Sequence, residues 1–138
     1  MTYVYLASPY TDPRPWIEQN RAESAARAAA LLMDNTLLTV FSPVAHGRFL
    51  LGTSKELQNW DHKTWMKHCK RMLQHANTLM ILPLSGWTTS KGVNEEIAIA
   101  KSLGIPCFVL HSKGFLAGMP LHTVEPLTLT KRNLQLWP

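Results

Sequence analysis

Thr78-Leu79-Met80-Ile81-Leu82, running on through Pro83-Leu84-Ser85-Gly86-Trp87-Thr88-Thr89-Ser90 to Lys91-Gly92-Val93-Asn94-Glu95-Glu96, is the stretch that decides the fold. The short apolar run at its start reads as a strand covered on both faces, as in a parallel sheet. Small and polar residues then lead into a helix that continues to about Leu103. Gly104 stops that helix, and Ile105-Pro106 turns the chain into a further strand, Cys107-Phe108-Val109-Leu110. The result is one βαβ unit whose loop lies at a strand's carboxyl end, where open α/β sheets bind ligands. Glycine and hydroxyl side chains ahead of a helix N-terminus suit a phosphate or another anion.

Working outward, Tyr3-Val4-Tyr5-Leu6-Ala7 is a strand ending in the turn Ser8-Pro9-Tyr10. Pro13 and Pro15 belong at or before a helix start. From Trp16, the residues Ile17, Arg21, Ala25, Ala28 and Leu32 recur at helical spacing until Asp34-Asn35. Thr36 to Phe41 reads as a second strand, ending in the turn Ser42-Pro43-Val44-Ala45-His46-Gly47. Arg48 to Asn59 has no clean period and reads as a short helix or a flap over the site. Asp61 is placed to cap a helix from about His62 to His75, with Trp65, Met66, Cys69, Met72, Leu73 and Ala76 inward. After Leu110 the chain is irregular, with Val124 to Leu129 as an edge-strand candidate. These elements predict a small doubly wound α/β fold, flavodoxin- or Rossmann-like, with a parallel sheet of four to five strands and flanking helices. A single domain over 1–138 is expected, with 111–138 as an irregular C-terminal tail.

Composition narrows the function classes. A chain of 138 residues with 46% hydrophobic and 17% charged side chains can bury a proper core without staples. No apolar run approaches the roughly 18 residues of a membrane span, and no basic leader precedes the first strand. Cys69 and Cys107 are too few for a disulfide framework, so a cytoplasmic setting is expected. The net charge of +5 suits phosphorylated small molecules or weak nucleic-acid contact, and equally an ordinary solvated surface. No nucleic-acid-binding module accompanies it, so neither nucleic acid nor a membrane is an expected partner. There is no P-loop and no Gly-x-Gly-x-x-Gly after the first strand. His62, His68 and His75 lack a second set of ligands at metal spacing, so no metal site is expected.

Three strand ends meet on one rim of such a sheet. They bring Ser8 and Tyr10, then Ser42 and His46, then Trp87, Ser90, Gly92 and Glu96. The order Tyr5-Leu6-Ala7-Ser8-Pro9-Tyr10, Val40-Phe41-Ser42-Pro43-Val44-Ala45-His46 and Gly86-Trp87-x-x-Ser90-x-Gly92-Val93-x-x-Glu96 resembles the nucleoside 2-deoxyribosyltransferase-like superfamily, in particular a small bacterial and phage subfamily. The resemblance covers residues 3 to about 110. It includes deoxynucleoside 5′-monophosphate N-glycosidases with a similar Ser-x-Gly-Val-x-x-Glu run. It implies that Ser90 binds a 5′-phosphate and that Glu96 is the nucleophile at the anomeric carbon. It further implies a site without metal or organic cofactor, and a homo-oligomer of two or more chains. Ser8 and Tyr10 would line the pocket and His46 would lie near the base.

Each residue also has a plainer reading. Glu96 alone is a first-turn carboxylate matching the helix dipole, and Glu95 competes for the same role. Ser90 is also an N-cap, Ser8 and Tyr10 are turn residues, His46 is also a solvated or structural histidine, and Trp87 either stacks on a base or walls the loop. The chain departs from the family at one important place. Where the family carries an aspartate that orients sugar and nucleophile, this sequence has Cys69, a thiol that accepts a proton only if its pKa is lowered. Asp61 or Glu56 would have to supply the missing carboxylate from the flap. The expected activity is cleavage or transfer at the N-glycosidic bond of a (deoxy)nucleoside or its 5′-monophosphate. The alternative is a non-catalytic nucleotide-binding or sensing protein on the same fold.

Overall fold

The computed structural model describes residues 3–36, 38–110 and 125–126. Strand β1 (Val4–Ala7) leads to helix α1 (Pro15–Asn35), then to strand β2 (Val40–Phe41) and helix α2 (Pro43–Leu51). A 3-10 turn (Leu57–Asn59) precedes helix α3 (His62–Leu73) and strand β3 (Thr78–Ile81). A second 3-10 turn (Trp87–Thr89), helix α4 (Lys91–Ser102), strand β4 (Cys107–Val109) and strand β5 (Glu125–Pro126) complete the order. The sheet runs β2-β1-β3-β4-β5, its first four strands parallel and β5 antiparallel to β4. This is the doubly wound α/β architecture that the alternation of elements predicts. No helix among the described residues is long and apolar enough to cross a membrane.

Alternation along the central strands sorts the core into two layers. Val4, Leu6, Met80 and Leu82 face Ala25, Ala28 and Leu32 of α1. Tyr5, Ala7, Leu79 and Ile81 face Leu73 of α3 and Val93 and Ala100 of α4. The small inward side chains of α1 let it lie close on the sheet. Helices on both faces explain why these strands read as continuous apolar runs rather than alternating ones.

The termini of α4 follow from local chemistry. Ser90 Oγ accepts from the Val93 amide at 3.3 Å and caps the helix. At the other end Gly104 takes φ 69°, its amide reaching Lys101 O while that of Ile105 reaches Ala100 O. This paired return is the Schellman closure, and the left-handed residue in it is the glycine.

Two boundaries differ from expectation. The strand expected over 36–41 is only Val40–Phe41. Thr36 Oγ1 bonds back to Leu32 O and accepts from the Leu38 amide, so local side-chain bonding competes with the sheet ladder there. The turn expected at 42–47 is instead the start of α2: Ser42 Oγ accepts from the Ala45 amide and Pro43 sits in the first turn, where its missing N–H costs nothing. The edge strand expected over 124–129 is present at Glu125–Pro126 and runs antiparallel. The rest of the expected tail, 111–124 and 127–138, lies outside the described residues.

Candidate active site

In the order β2-β1-β3-β4, the chain leaves β1 toward one edge and β3 toward the other, so a crevice opens between their carboxyl ends. The Leu82 amide donates to Ala7 O at 2.8 Å, holding the two exits side by side. Arg21 of α1 ties the loops above them. Its Nη1 donates to Thr11 O at 2.9 Å and Tyr10 O at 3.3 Å, and its Nη2 to Ser85 O at 3.1 Å. Arg21→Ala is therefore expected to speed amide exchange across 83–90 by roughly tenfold, the value of one charge-assisted bond. Lysine should restore little, because an ammonium cannot fork to three carbonyls. Exchange unchanged in the alanine variant would contradict this strapping role.

A cavity of about 790 Å³ opens here, with Ser8, Tyr10, Ser90, Gly92 and Glu96 all on its wall. Glu96 lies at the second turn of α4, on the same buried face as Val93 and Ala100. It is 5% exposed, and the Tyr5 hydroxyl donates to its Oε2. Burial raises its pKa to about 7; the Tyr5 bond works in the opposite sense and the Glu95 charge adds a little. The neighbouring Cys69 thiol is pushed up to about 11, chiefly by burial, with the Glu96 charge in the same direction. Cys69 is thus a neutral thiol at ordinary pH and not a proton acceptor. The Tyr5 hydroxyl is likewise raised well above its usual value, by burial and then by the carboxylate beside it.

Toward the mouth, the site gains positive and unfilled polar groups. Ser8 Oγ is 5% exposed and has no hydrogen-bond partner among the described residues, although it borders the cavity. Buried hydroxyls are nearly always bonded, so this one is placed for a polar group that enters the cavity. Tyr10 Oη accepts from Arg48 Nη1 at 3.0 Å, and Arg21, Arg48 and Lys91 all border the space. The first amide of α4 to bond within the helix register is that of Asn94, to Ser90 O. The Lys91 and Gly92 amides precede it and belong to the unpaired first turn at the positive end of the helix. Gly92 borders the cavity in that turn, and a Cβ there would lie 4.0 Å from His62 Cε1, an ordinary contact distance.

Three of the expected residues are not on the cavity wall. Ser42 Oγ is occupied as the cap of α2. His46 is on α2, whose cavity-facing stripe is Pro43, Val44, Gly47, Arg48 and Leu51; its ring packs instead between Phe41, at 5.6 Å, and His68, at 6.4 Å. Trp87 is buried against the α4 side of the core. Glu95, the rival of Glu96, points to His62 Nε2 at 3.1 Å, a partly exposed pair whose histidine borders the cavity. Asp61 caps α3 by accepting from the Thr64 amide, and Glu56 accepts from Ser54 Oγ, so neither takes the place of the family aspartate. Among the described residues the other carboxylate bordering the cavity is Asp12, which Arg14 holds below the usual carboxylate range.

Several residues of the site escape a reading from spacing alone. Tyr5 sits mid-strand, where the pattern predicts only core. Arg21 and Arg48 lie within helices, and Trp60, Trp65 and Met66 of the segment leading through α3 form another wall. The one available signal was the α3 periodicity, which put Trp65, Met66 and Cys69 on the inner face.

Residues 2–112 match the family described as a domain of unknown function (DUF1937), and the chain belongs to that family. No curated protein matches it.

Proposed function

We propose that this family member cleaves or exchanges the N-glycosidic bond of a nucleoside 5′-monophosphate, with Glu96 as the nucleophile. The observation that carries the reading is the Glu96 carboxylate itself, buried beside the cavity with a tyrosine hydroxyl donating to it. A carboxylate withdrawn from water costs stability unless fully paired, so a purely structural role accounts poorly for it. Its position at the β1/β3 crevice, below an unfilled serine hydroxyl and a helix N-terminus, is what a ligand with an anionic end and an electrophilic carbon requires. The resemblance of Ser90-x-Gly92-Val93-x-x-Glu96 to the N-glycosidase motif supplies the reaction class.

The steps follow from these groups. A Glu96 oxygen forms a bond to the anomeric carbon as the carbon–nitrogen bond breaks, and the electron pair departs with the base, which takes up a proton from water. Water, or a second base, then attacks the same carbon and returns the carboxylate. Tyr5 holds Glu96 in one orientation throughout by donating to Oε2, and Ser8, Ser90 and the first turn of α4 receive the phosphate. Because the nucleophile must be ionised, base release should rise about tenfold per pH unit below pH 7 and level off above it. A rate falling through neutrality would assign Glu96 the role of an acid instead.

Cys69 favours a second reading, a nucleotide-binding protein without turnover. Its neutral thiol stands beside Glu96 where the resembled enzymes carry an aspartate. The two readings separate when the protein is incubated with ribo- and deoxynucleoside monophosphates and free base is followed by chromatography. Base release establishes the enzyme. No release across the panel, with or without an added acceptor base, overturns it, and binding of the same compounds then supports the second reading.

A further inference from the structure

We propose that Trp60 and Trp65 form a stacking subsite for the planar ring of the ligand, so that a nucleobase lies against the α3 side of the cavity. The inference rests on the nucleotide reading above and assigns the part of the site that reading leaves open. On α3, His62, Trp65, Met66 and Cys69 border the cavity, a spacing of three, four and seven residues that defines one helix face. Of these, His62 is engaged with Glu95 at 3.1 Å and Cys69 is a neutral thiol. The cationic groups that border the cavity, Arg21, Arg48 and Lys91, come from α1, α2 and α4. The α3 wall is therefore mainly aromatic, with its His62 paired to Glu95, and the arginines and the lysine lie on the other walls. A nucleotide has the same division, with a neutral heterocycle at one end and a phosphate at the other.

The two rings are built for this contact. Their centroids stand 5.0 Å apart with planes at 60°, so they form a corner rather than a stack closed to a third ring. His68 meets Trp65 edge-on at 6.4 Å, and Gly47 of α2 faces the ring, where a Cβ would make ordinary contact at 3.5 Å with Cζ3. Trp65 is thus held by neighbouring elements. Trp60 is 38% exposed, a large apolar ring left open beside the cavity. The level is also right. Cys69 lies in the electrostatic neighbourhood of Tyr5 and Glu96, and Met66 and Trp65 sit about 4.5 and 6 Å nearer the start of the helix, at 1.5 Å per residue. A base is bonded directly to the anomeric carbon, so a sugar presented to Glu96 brings its ring to that level.

Stacking on aromatic side chains strengthens nucleotide binding by about tenfold per base or more. Calorimetric titration with AMP, CMP and ribose 5-phosphate, in the Glu96→Gln background where the probes survive, tests the assignment. The parent should bind AMP or CMP at least tenfold more tightly than ribose 5-phosphate. Trp60→Ala and Trp65→Leu should each remove most of that advantage and leave ribose 5-phosphate unchanged, with Trp65→Phe retaining it. Trp60, being exposed, can be cut back without disturbing the core, so the test survives a misfolded Trp65 variant. Equal binding of AMP, CMP and ribose 5-phosphate by the parent, or a parallel loss for all three in the variants, overturns the subsite. Base release by the protein with an unmodified Glu96 is scored separately. Expected binding without release leaves the subsite standing and removes the glycosidic reading, whereas release with affinities indifferent to both tryptophans does the reverse.

Discussion

Glu96→Ala is expected to lower base release from a nucleoside monophosphate by at least about a thousandfold, the scale on which removing a catalytic nucleophile acts. The side chain is enclosed, with Tyr5 donating to it and Cys69 beside it, and among the described residues no neighbouring carboxylate stands ready to replace it. Asp12 is held by Arg14, and Glu95 is paired with His62. Loss of rate alone does not separate a missing nucleophile from a disturbed site, because truncating a buried residue also leaves a hole and an unpaired tyrosine hydroxyl. Added formate distinguishes the two. In Glu96→Ala a small carboxylate can enter the vacated space and capture the anomeric carbon, so a rise in base release with formate concentration is expected. In Glu96→Gln the amide fills that space and formate should have no effect. Affinity for ribose 5-phosphate, set at the mouth by Ser8 and the start of α4, should stay within a few fold in both variants. Base release within tenfold of the parent in Glu96→Ala would remove Glu96 from the mechanism.

How much of this site could be read from residue order depends on how local each determinant is. The helix α4 is delimited by its own neighbours, Ser90 capping one end and Gly104 closing the other, and both signals lie within a few residues of what they control. The strand β3 is legible for the same reason. The boundary of β2 is not, because Thr36 and Leu38 bond locally in competition with a strand whose stability comes from β1. The Ser42-Pro43 step is compatible with a turn and with a helix start, and the helical outcome turns His46 away from the cavity while bringing Gly47 and Arg48 to it. Tyr5 was hidden most completely. Its hydroxyl meets a carboxylate 91 residues further along the chain, and nothing in the strand pattern distinguishes that contact from ordinary core. Arg21 is similar, since its helix spacing announces an inward position but not the three carbonyls it gathers. Local chemistry fixed where the elements begin and end, and the sheet order decided which side chains share a cavity.

Glu96→Gln is expected to stabilise the protein at pH 8.5 by about 3 kcal/mol, and to change its stability little at pH 4. Burial raises the carboxyl to about 7 in the folded chain, against 4.5 for an unperturbed group. Between those values the folded state holds a proton that the unfolded state has released, so unfolding is favoured increasingly as pH rises. The penalty begins near pH 4.5, grows through the interval and is complete above about pH 7. At about 1.4 kcal/mol for each tenfold change in proton affinity, the gap between 4.5 and about 7 gives the stated order of magnitude. The Tyr5 hydroxyl, which can donate to an amide oxygen as well as to a carboxylate, should remain bonded in the variant. Paired denaturant titrations at the two pH values measure the effect directly. An equal shift at both would point to altered packing, and destabilisation of the variant at pH 8.5 would mean that the ionised carboxylate is compensated by its surroundings. The expected outcome has a bearing on function as well. A side chain whose ionised form lowers stability, at the pH where an ionised nucleophile is needed, stands where catalysis and folding make opposite demands on one residue.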